Sequence, residues 1–200
     1  CEIVERLPDD LDAAFVVVVH LSPDVETALD EVLQRHTAMP VTVVDEAIPL
    51  QRGHVYVQPP RGVLVVTETT IEFRESIRPR EGRRPPRPID VFFSTLARSH
   101  AEHSVALVLS GTGSDGGLGV RAVKAHGGVV MVQDPDHSQF DGMPRTSLAS
   151  GPVDVVADPA GLATALQRVL RSDGLPVATI PELSSDPVDE ILRTLKDEAG

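Results

Sequence analysis

Cysteine is almost absent from this chain of 200 residues. Cys1 stands alone, so no disulfide can close within the chain and no thiolate cluster can hold a metal. A reducing compartment fits that usage. Long apolar runs are missing too. The longest, Ala13 to Val19, has seven residues, whereas a membrane-crossing helix needs about 20. Basic charge is scarce: 18 Lys and Arg stand against 30 Asp and Glu, a net −12. Phosphate binding needs clustered cations, so nucleic acid is not expected as the main partner. None of the seven histidines shows His-Glu-x-x-His or His-x-x-Glu-His spacing, so no metal site is expected. There is no internal repeat. The chain opens Cys-Glu-Ile-Val, without an initiator Met or a targeting pattern, and reads as processed or as a fragment.

What is present is globular. Apolar residues make up 41% and charged residues 24%, close to the averages for packed domains. Short apolar runs at Phe15–Val19, Val41–Val44, Val105–Leu109, Gly128–Val132 and Val153–Val156 alternate with helical patterns. Leu21–Asp24 reads as a turn and helix start, with helical spacing from Val25 to about His36; further helices are expected at Ile89–His103, Gly117–His126 and Ala160–Arg171, with a short one starting at Pro144. Continuous apolar strands between helices predict a doubly wound, mainly parallel α/β sheet with helices on both faces, a three-layer Rossmann-like fold. Gly53–Val57 and Val63–Val66 read as two short strands around a turn, with Ile71–Arg74 pairing beside them as a small antiparallel hairpin. Residues 1–171 form the expected domain, 172–186 a linker rich in turn-formers, and 187–200 the start of a further helical unit.

One basic stretch stands out. Six of the 18 basic residues lie between Arg74 and Arg87, interleaved with Pro79, Pro85 and Pro86. It reads as a solvated, Pro-stiffened loop, or as a basic rim for an acidic partner. No aromatic lies within it, so base stacking is not expected.

Chemistry on open α/β sheets collects at the carboxyl ends of strands. Three such ends carry polar groups: His20, the loop Gly111–Gly117, and Gln133-Asp134. The middle loop, with Gly111, Gly113 and Gly116, has the spacing of a dinucleotide fingerprint, with Asp134 at the end of the next strand. Asp115 argues against that reading, because its carboxylate would repel a pyrophosphate. The other reading makes Asp115 the purpose of the loop. Glycines on either side let a tight turn present the carboxylate to His20. The pair is then the orienter and base of a hydrolase triad. The amides of Thr112 or Gly113 would face a developing oxyanion. His36, His54, His100, His103, His126 and His137 take structural readings.

Five segments, in order along about 170 residues, resemble the catalytic domain of the chemotaxis protein-glutamate methylesterases. Val-Val-His20-Leu-Ser-Pro23 resembles that family's Gln-His-Met-Pro segment. Leu50 to Pro59 resembles its Pro-Gly-His-x-Tyr-x-x-Pro stretch, and Arg87-Pro88-Ile89-Asp90-Val91-Phe92-Phe93 its Arg-Pro-Ser-x-Asp-x-Leu-Phe. Leu109 to Gly116 resembles Leu-Thr-Gly-Met-Gly-x-Asp-Gly, and Gln133-Asp134 with Gly142-Met143-Pro144-Arg145 resembles Gln-Asp/Asn with Gly-Met-Pro-Arg.

The resemblance implies a cytoplasmic serine hydrolase without a cofactor. Its substrates would be methyl-glutamate esters on the cytoplasmic helices of chemoreceptors, with His20 as general base and Asp115 as its orienter. It turns the glycine loop from a nucleotide site into a triad loop. Thr112 stands where the family has Met, and Val63 where it has His or Asp, so no role passes to Val63. The family's nucleophilic serine sits in a Gly-Ala-Ser-x-Gly-Gly turn upstream of the histidine. Residues 1–19 contain no serine, so the nucleophile is expected before Cys1. Asp186 to Gly200 resembles the first helix of the receptor methyltransferases, as in proteins that fuse the two enzymes. A catalytically inactive relative that binds receptors or signalling partners is the alternative, and a serine ahead of Cys1 separates the two.

Overall fold

The computed structural model describes residues 2–19, 28–60, 62–75 and 87–171. His20, most of the basic Pro-rich loop, the linker and the terminal helix expected from the sequence lie outside the described residues. Helix α1 (Glu2–Arg6) leads into β1 (Ala14–Val17). Next come α2 (Leu29–Gln34), β2 (Val41–Val43), β3 (Ile48–Pro49) and β4 (His54–Val57). Strands β5 (Val63–Val66) and β6 (Thr70–Arg74) precede α3 (Pro88–His100) and β7 (Val105–Val108). The chain then alternates α4 (Gly117–Ala125), β8 (Val129–Gln133), α5 (Gly142–Ser150), β9 (Val155–Ala157) and α6 (Pro159–Arg171).

The expected parallel pairing is present. β4 lies between β1 and β2, with Phe15 opposite Val55 and Thr42 opposite Tyr56. β8 lies between β7 and β9, with Ala106 opposite Val130 and Val132 opposite Val156. Side chains alternate between faces along a strand, and the packing follows. Val16 and Val18 join Ala106, Val108, Val130 and Val132 in one apolar cluster, under Phe92 and Phe93 of α3 and Val120 and Val123 of α4. Phe15 and Val17 join Val105, Leu107, Val129 and Met131 in another, covered by Ile3 and Leu7 of the first helical segment and Leu162 and Leu166 of α6. Both three-stranded parallel sheets therefore feed the same two clusters, one on each face.

The segment 53–74 differs from the expected hairpin. β4 and β5 are in separate sheets: β5 pairs antiparallel with β6, which also pairs with β3. Pro59 and Pro60 follow β4 and cannot donate to a ladder, so the chain leaves the parallel sheet there. Once away, β5 is buried at every residue and docks on α3. Thr95 Oγ1 accepts from Val66 N at 3.2 Å, and Ser99 Oγ donates to Val66 O at 3.0 Å. The short strand β3 was not expected. Helix α5 begins at Gly142 rather than Pro144; proline is tolerated throughout a first helical turn, where amides have no intrahelical partner. Among the described residues, no helix is long and apolar enough to cross a membrane.

Candidate active site

The loop after β7 is fastened on both sides. Ser110 N donates to Gln133 Oε1 at 2.9 Å, and Gly111 N to Phe140 O at 3.0 Å. Met143 N donates back to Gly111 O at 2.9 Å. A Cβ on Gly111 would lie 2.4 Å from Met143 Sδ, so the Met143 side chain at the start of α5 packs into the space that residue 111 leaves open. The tip then turns outward. Thr112 and Gly113 are exposed, and Gly113 has φ +95°, which glycine adopts without strain.

Behind that tip the chain turns in, and Asp115 is buried at 5% exposure. Its Oδ2 accepts from Ile89 N at 3.1 Å, and its Oδ1 from Asp90 N at 3.1 Å and Gly116 N at 2.8 Å. Ile89 and Asp90 are the second and third residues of α3, and their amides are the ones an N-cap side chain satisfies. The residue at that cap position, Arg87, makes no side-chain cap of its own. Asp115 supplies it from across the interface. A carboxylate offers about four acceptor directions, so these three bonds leave its orientation set and are compatible with a further donor.

The arrangement is reciprocated. Helix α4 also starts without its own side-chain cap, from Gly116 in the left-handed region. Asp90 Oδ1 accepts from Gly119 N at 2.8 Å, in the first turn of α4. Asp90 is 1% exposed. Its other oxygen, Oδ2, faces Arg87 Nε at 2.9 Å. That approach is off the N–H direction and is ionic contact rather than a hydrogen bond. Arg87 Nε lies 3.9 Å from Asp115 Oδ1, and Arg87 Nη2 donates to Ser114 O. Burial pushes the Asp90 carboxyl up to about 6; the Asp115 charge adds to this, while the Gly119 amide and Arg87 oppose it. The sequence reading left Asp90 without a role and counted Arg87 with the basic loop. The signal was there: one acid inside the apolar run Ile89–Phe93.

This geometry disposes of the dinucleotide reading. The Gly119 amide, which a pyrophosphate at the α4 N-terminus would use, already binds the Asp90 carboxylate. Asp134 is committed as well: Oδ1 accepts from Asp136 N at 3.0 Å, and Oδ2 meets His137 Nδ1 at 3.1 Å. Other histidines have local partners. His54 Nε2 meets Thr42 Oγ1 at 2.8 Å, His100 Nε2 meets Thr67 O at 3.0 Å, and His126 Nδ1 meets Ala122 O at 2.9 Å. No group of three or more metal-ligating side chains occurs among the described residues. His20 lies outside them, so its approach to Asp115 is not described.

The comparison with known proteins falls on this same frame. Residues 1–166 match the family model described as CheB methylesterase. The chain belongs to the CheB methylesterase family. A protein-glutamate methylesterase/protein-glutamine glutaminase of Geobacillus kaustophilus is 31% identical over 173 residues, which cover 84% of this chain and 49% of that protein. A second one, of Methanospirillum hungatei, is 33% identical over 143 residues, covering 72% of this chain and 40% of that protein. An uncharacterized 104.1 kDa protein of Rhodobacter capsulatus is 44% identical over 123 residues, 61% of this chain but 12% of its own length. The chain thus spans about half, or less, of these relatives. The CheB methylesterase catalytic domain of Thermotoga maritima has the same fold, with a TM-score of 0.74 at 24% identity over 84% of this chain and 89% of that one.

Proposed function

We propose that this CheB-family domain hydrolyses methyl esters of glutamate side chains on the helices of chemoreceptors, using His20 as general base and Asp115 as the group that orients it. The observation that carries the reading is Asp115: a buried carboxylate beyond the carboxyl end of β7, fixed by hydrogen bonds from three backbone amides beneath an exposed tip. A carboxylate so placed holds an imidazole in one tautomer and stabilises the imidazolium formed during reaction. His20 would take the proton of a serine hydroxyl as its oxygen attacks the γ-carbonyl, then pass it to the departing methoxide. Methanol leaves and an acyl-serine remains. Water, deprotonated by the same imidazole, releases the glutamate carboxylate and restores the serine. At Thr112 and Gly113 the backbone N–H groups would stabilise the oxyanion. The names of the relatives pair this reaction with glutamine hydrolysis; attack on the γ-carbonyl is common to both, with ammonia as the leaving group in place of methanol.

The serine would come from a segment outside these 200 residues, entering as a further parallel strand beside β1. The longest apolar run of the chain, Ala13–Val19, supports that placement, because β1 is an edge strand among the described residues and Phe15 to Val19 are only half-buried. Such runs belong to strands covered on both sides. Action in the cytoplasm and fusion to a receptor methyltransferase, through residues 172–200, belong to the same reading.

The test is methanol release from methylated receptor. A polypeptide extended upstream through the serine turn should release it, and the 200-residue chain alone should not. In the extended protein His20→Ala and Asp115→Asn should each cut kcat by about 10³-fold or more. A loss under about tenfold for either would sink its assignment. An extended protein without a serine at the turn would favour the inactive, receptor-binding alternative.

A further inference from the structure

Asp90 presents a puzzle that capping alone does not solve. It is 1% exposed, among Ile89, Val91 and Phe92. Its Oδ1 caps α4 through Gly119 N, a task that asparagine or serine performs equally well without burying a charge. The charge itself must therefore answer something, and the only cation in contact with it among the described residues is Arg87. The Arg87 guanidinium has two carboxylates within reach: Asp90 Oδ2 at 2.9 Å and Asp115 Oδ1 at 3.9 Å. It sits against the first, and Nη2 is tied to the Ser114 carbonyl. Full contact with Asp115 would neutralise the carboxylate on which the proposed base depends.

We infer that Asp90 is a positioning residue of the active site: it holds the Arg87 guanidinium off Asp115, so that Asp115 keeps its negative field for the imidazole it orients. This rests on the pairing of Asp115 with His20 proposed above. Asp90 touches neither substrate nor base and acts through Arg87. Loss of the Asp90 charge would let the guanidinium move the remaining ångström onto Asp115.

The experiment needs no nucleophile and uses the 200-residue chain. The ratio of imidazolium to imidazole at His20 is read by NMR at about pH 7.5, above the range in which Asp90 takes up a proton. The His20 signal is assigned by its loss in His20→Gln. Asp115→Asn is the reference, and should lower the ratio about tenfold. Asp90→Asn should lower it about threefold or more, as Arg87 moves onto Asp115. Arg87→Gln alone should change it little, and Arg87→Gln with Asp90→Asn should return it close to wild type.

The effects must therefore be non-additive on a logarithmic scale. Additive effects would mean simple superposed fields and would overturn the inference, as would an unchanged ratio in Asp90→Asn. An unchanged ratio in Asp115→Asn would instead refute the pairing of Asp115 with His20, and the positioning role with it. Should Asp90→Asn fail to fold, Arg87→Lys carries the test. Its ammonium keeps the charge but lacks the fork that grips Asp90 and Ser114 together, so the ratio should fall; no fall would overturn the inference.

Discussion

Asp90 and Asp115 cap one another's helices. Asp115, just ahead of α4, accepts from the Ile89 and Asp90 amides of α3, while Asp90, in the first turn of α3, accepts from the Gly119 amide of α4. Two helix N-termini, each carrying partial positive charge, thus meet around two carboxylates and one guanidinium.

The Asp90 carboxyl gives a pH dependence opposite to ordinary acid unfolding. Its value in the folded chain is about 6, against 3.8 for a free carboxyl, through burial first and the Asp115 charge second, with Arg87 acting against them. The folded state therefore binds the Asp90 proton more tightly than the unfolded state. That contribution is full below about 3.8 and is lost as pH rises through about 6. Asp90→Asn lacks it. Urea unfolding across that range should show the stability of Asp90→Asn gaining on wild type by roughly 2 kcal/mol as pH rises from about 4 to about 7. A constant difference would mean that Asp90 titrates normally.

Gly119→Ala should destabilise the fold, although alanine is the better helix former by about 1 kcal/mol. A Cβ at Gly119 would lie 2.5 Å from Phe93 Cβ and 3.2 Å from Asp90 Cα. The two helices would have to separate, stretching both cap exchanges. A net loss of about 2 kcal/mol in denaturant unfolding is expected. A gain would show that α3 and α4 can part without harm.

Lys124 anchors the far end of α4. Its Nζ donates to both oxygens of Asp154 at 2.8 Å and to Gly128 O at 3.1 Å, and Asp154 Oδ2 also accepts from Val130 N at 2.7 Å. Lys124→Met strands the carboxylate and should cost about 3 kcal/mol. Adding Asp154→Asn removes the stranded charge but keeps an acceptor for Val130, and should recover about half of that loss. Thermal or urea unfolding of the two variants measures both; equal stabilities would contradict the cost assigned to the charge.

Tyr56 joins the parallel sheet to the end of β3 and the turn that follows it. Its hydroxyl donates to Pro49 O at 2.9 Å and accepts from Gln51 N at 2.8 Å, and the side chain is 1% exposed. Tyr56→Phe leaves a donor and an acceptor unmatched with almost no change in volume. A loss of about 1–2 kcal/mol is expected, with the nearest backbone amides showing the largest NMR shifts. Unchanged stability would mean that water replaces the hydroxyl.

The parallel strands were legible because each is a short run of β-branched residues between helical patterns. The runs at Val105 and Val129 start within one residue of the expected positions. The placement of Asp115, in the turn beyond β7, was legible because glycines frame it at a strand end. The partition of β4 from β5 was not, since the destination of β5 is decided by Thr95 and Ser99, some thirty residues further along. Nor was the exchange of caps. Neither helix is capped by the side chain at its own N-cap, because the carboxylate that satisfies each lies about 25 residues away, on the other helix's side of the interface.

That exchange also sets how this part of the molecule opens. Neither helix start is complete alone: undocking α3 strips the Gly119 amide of its acceptor, and undocking α4 withdraws Asp115 from the Ile89 and Asp90 amides. Fraying, which normally begins independently at each helix end, is coupled between them. The two first turns behave as one cooperative opening unit, with the carboxylate proposed to steer the reaction at its centre.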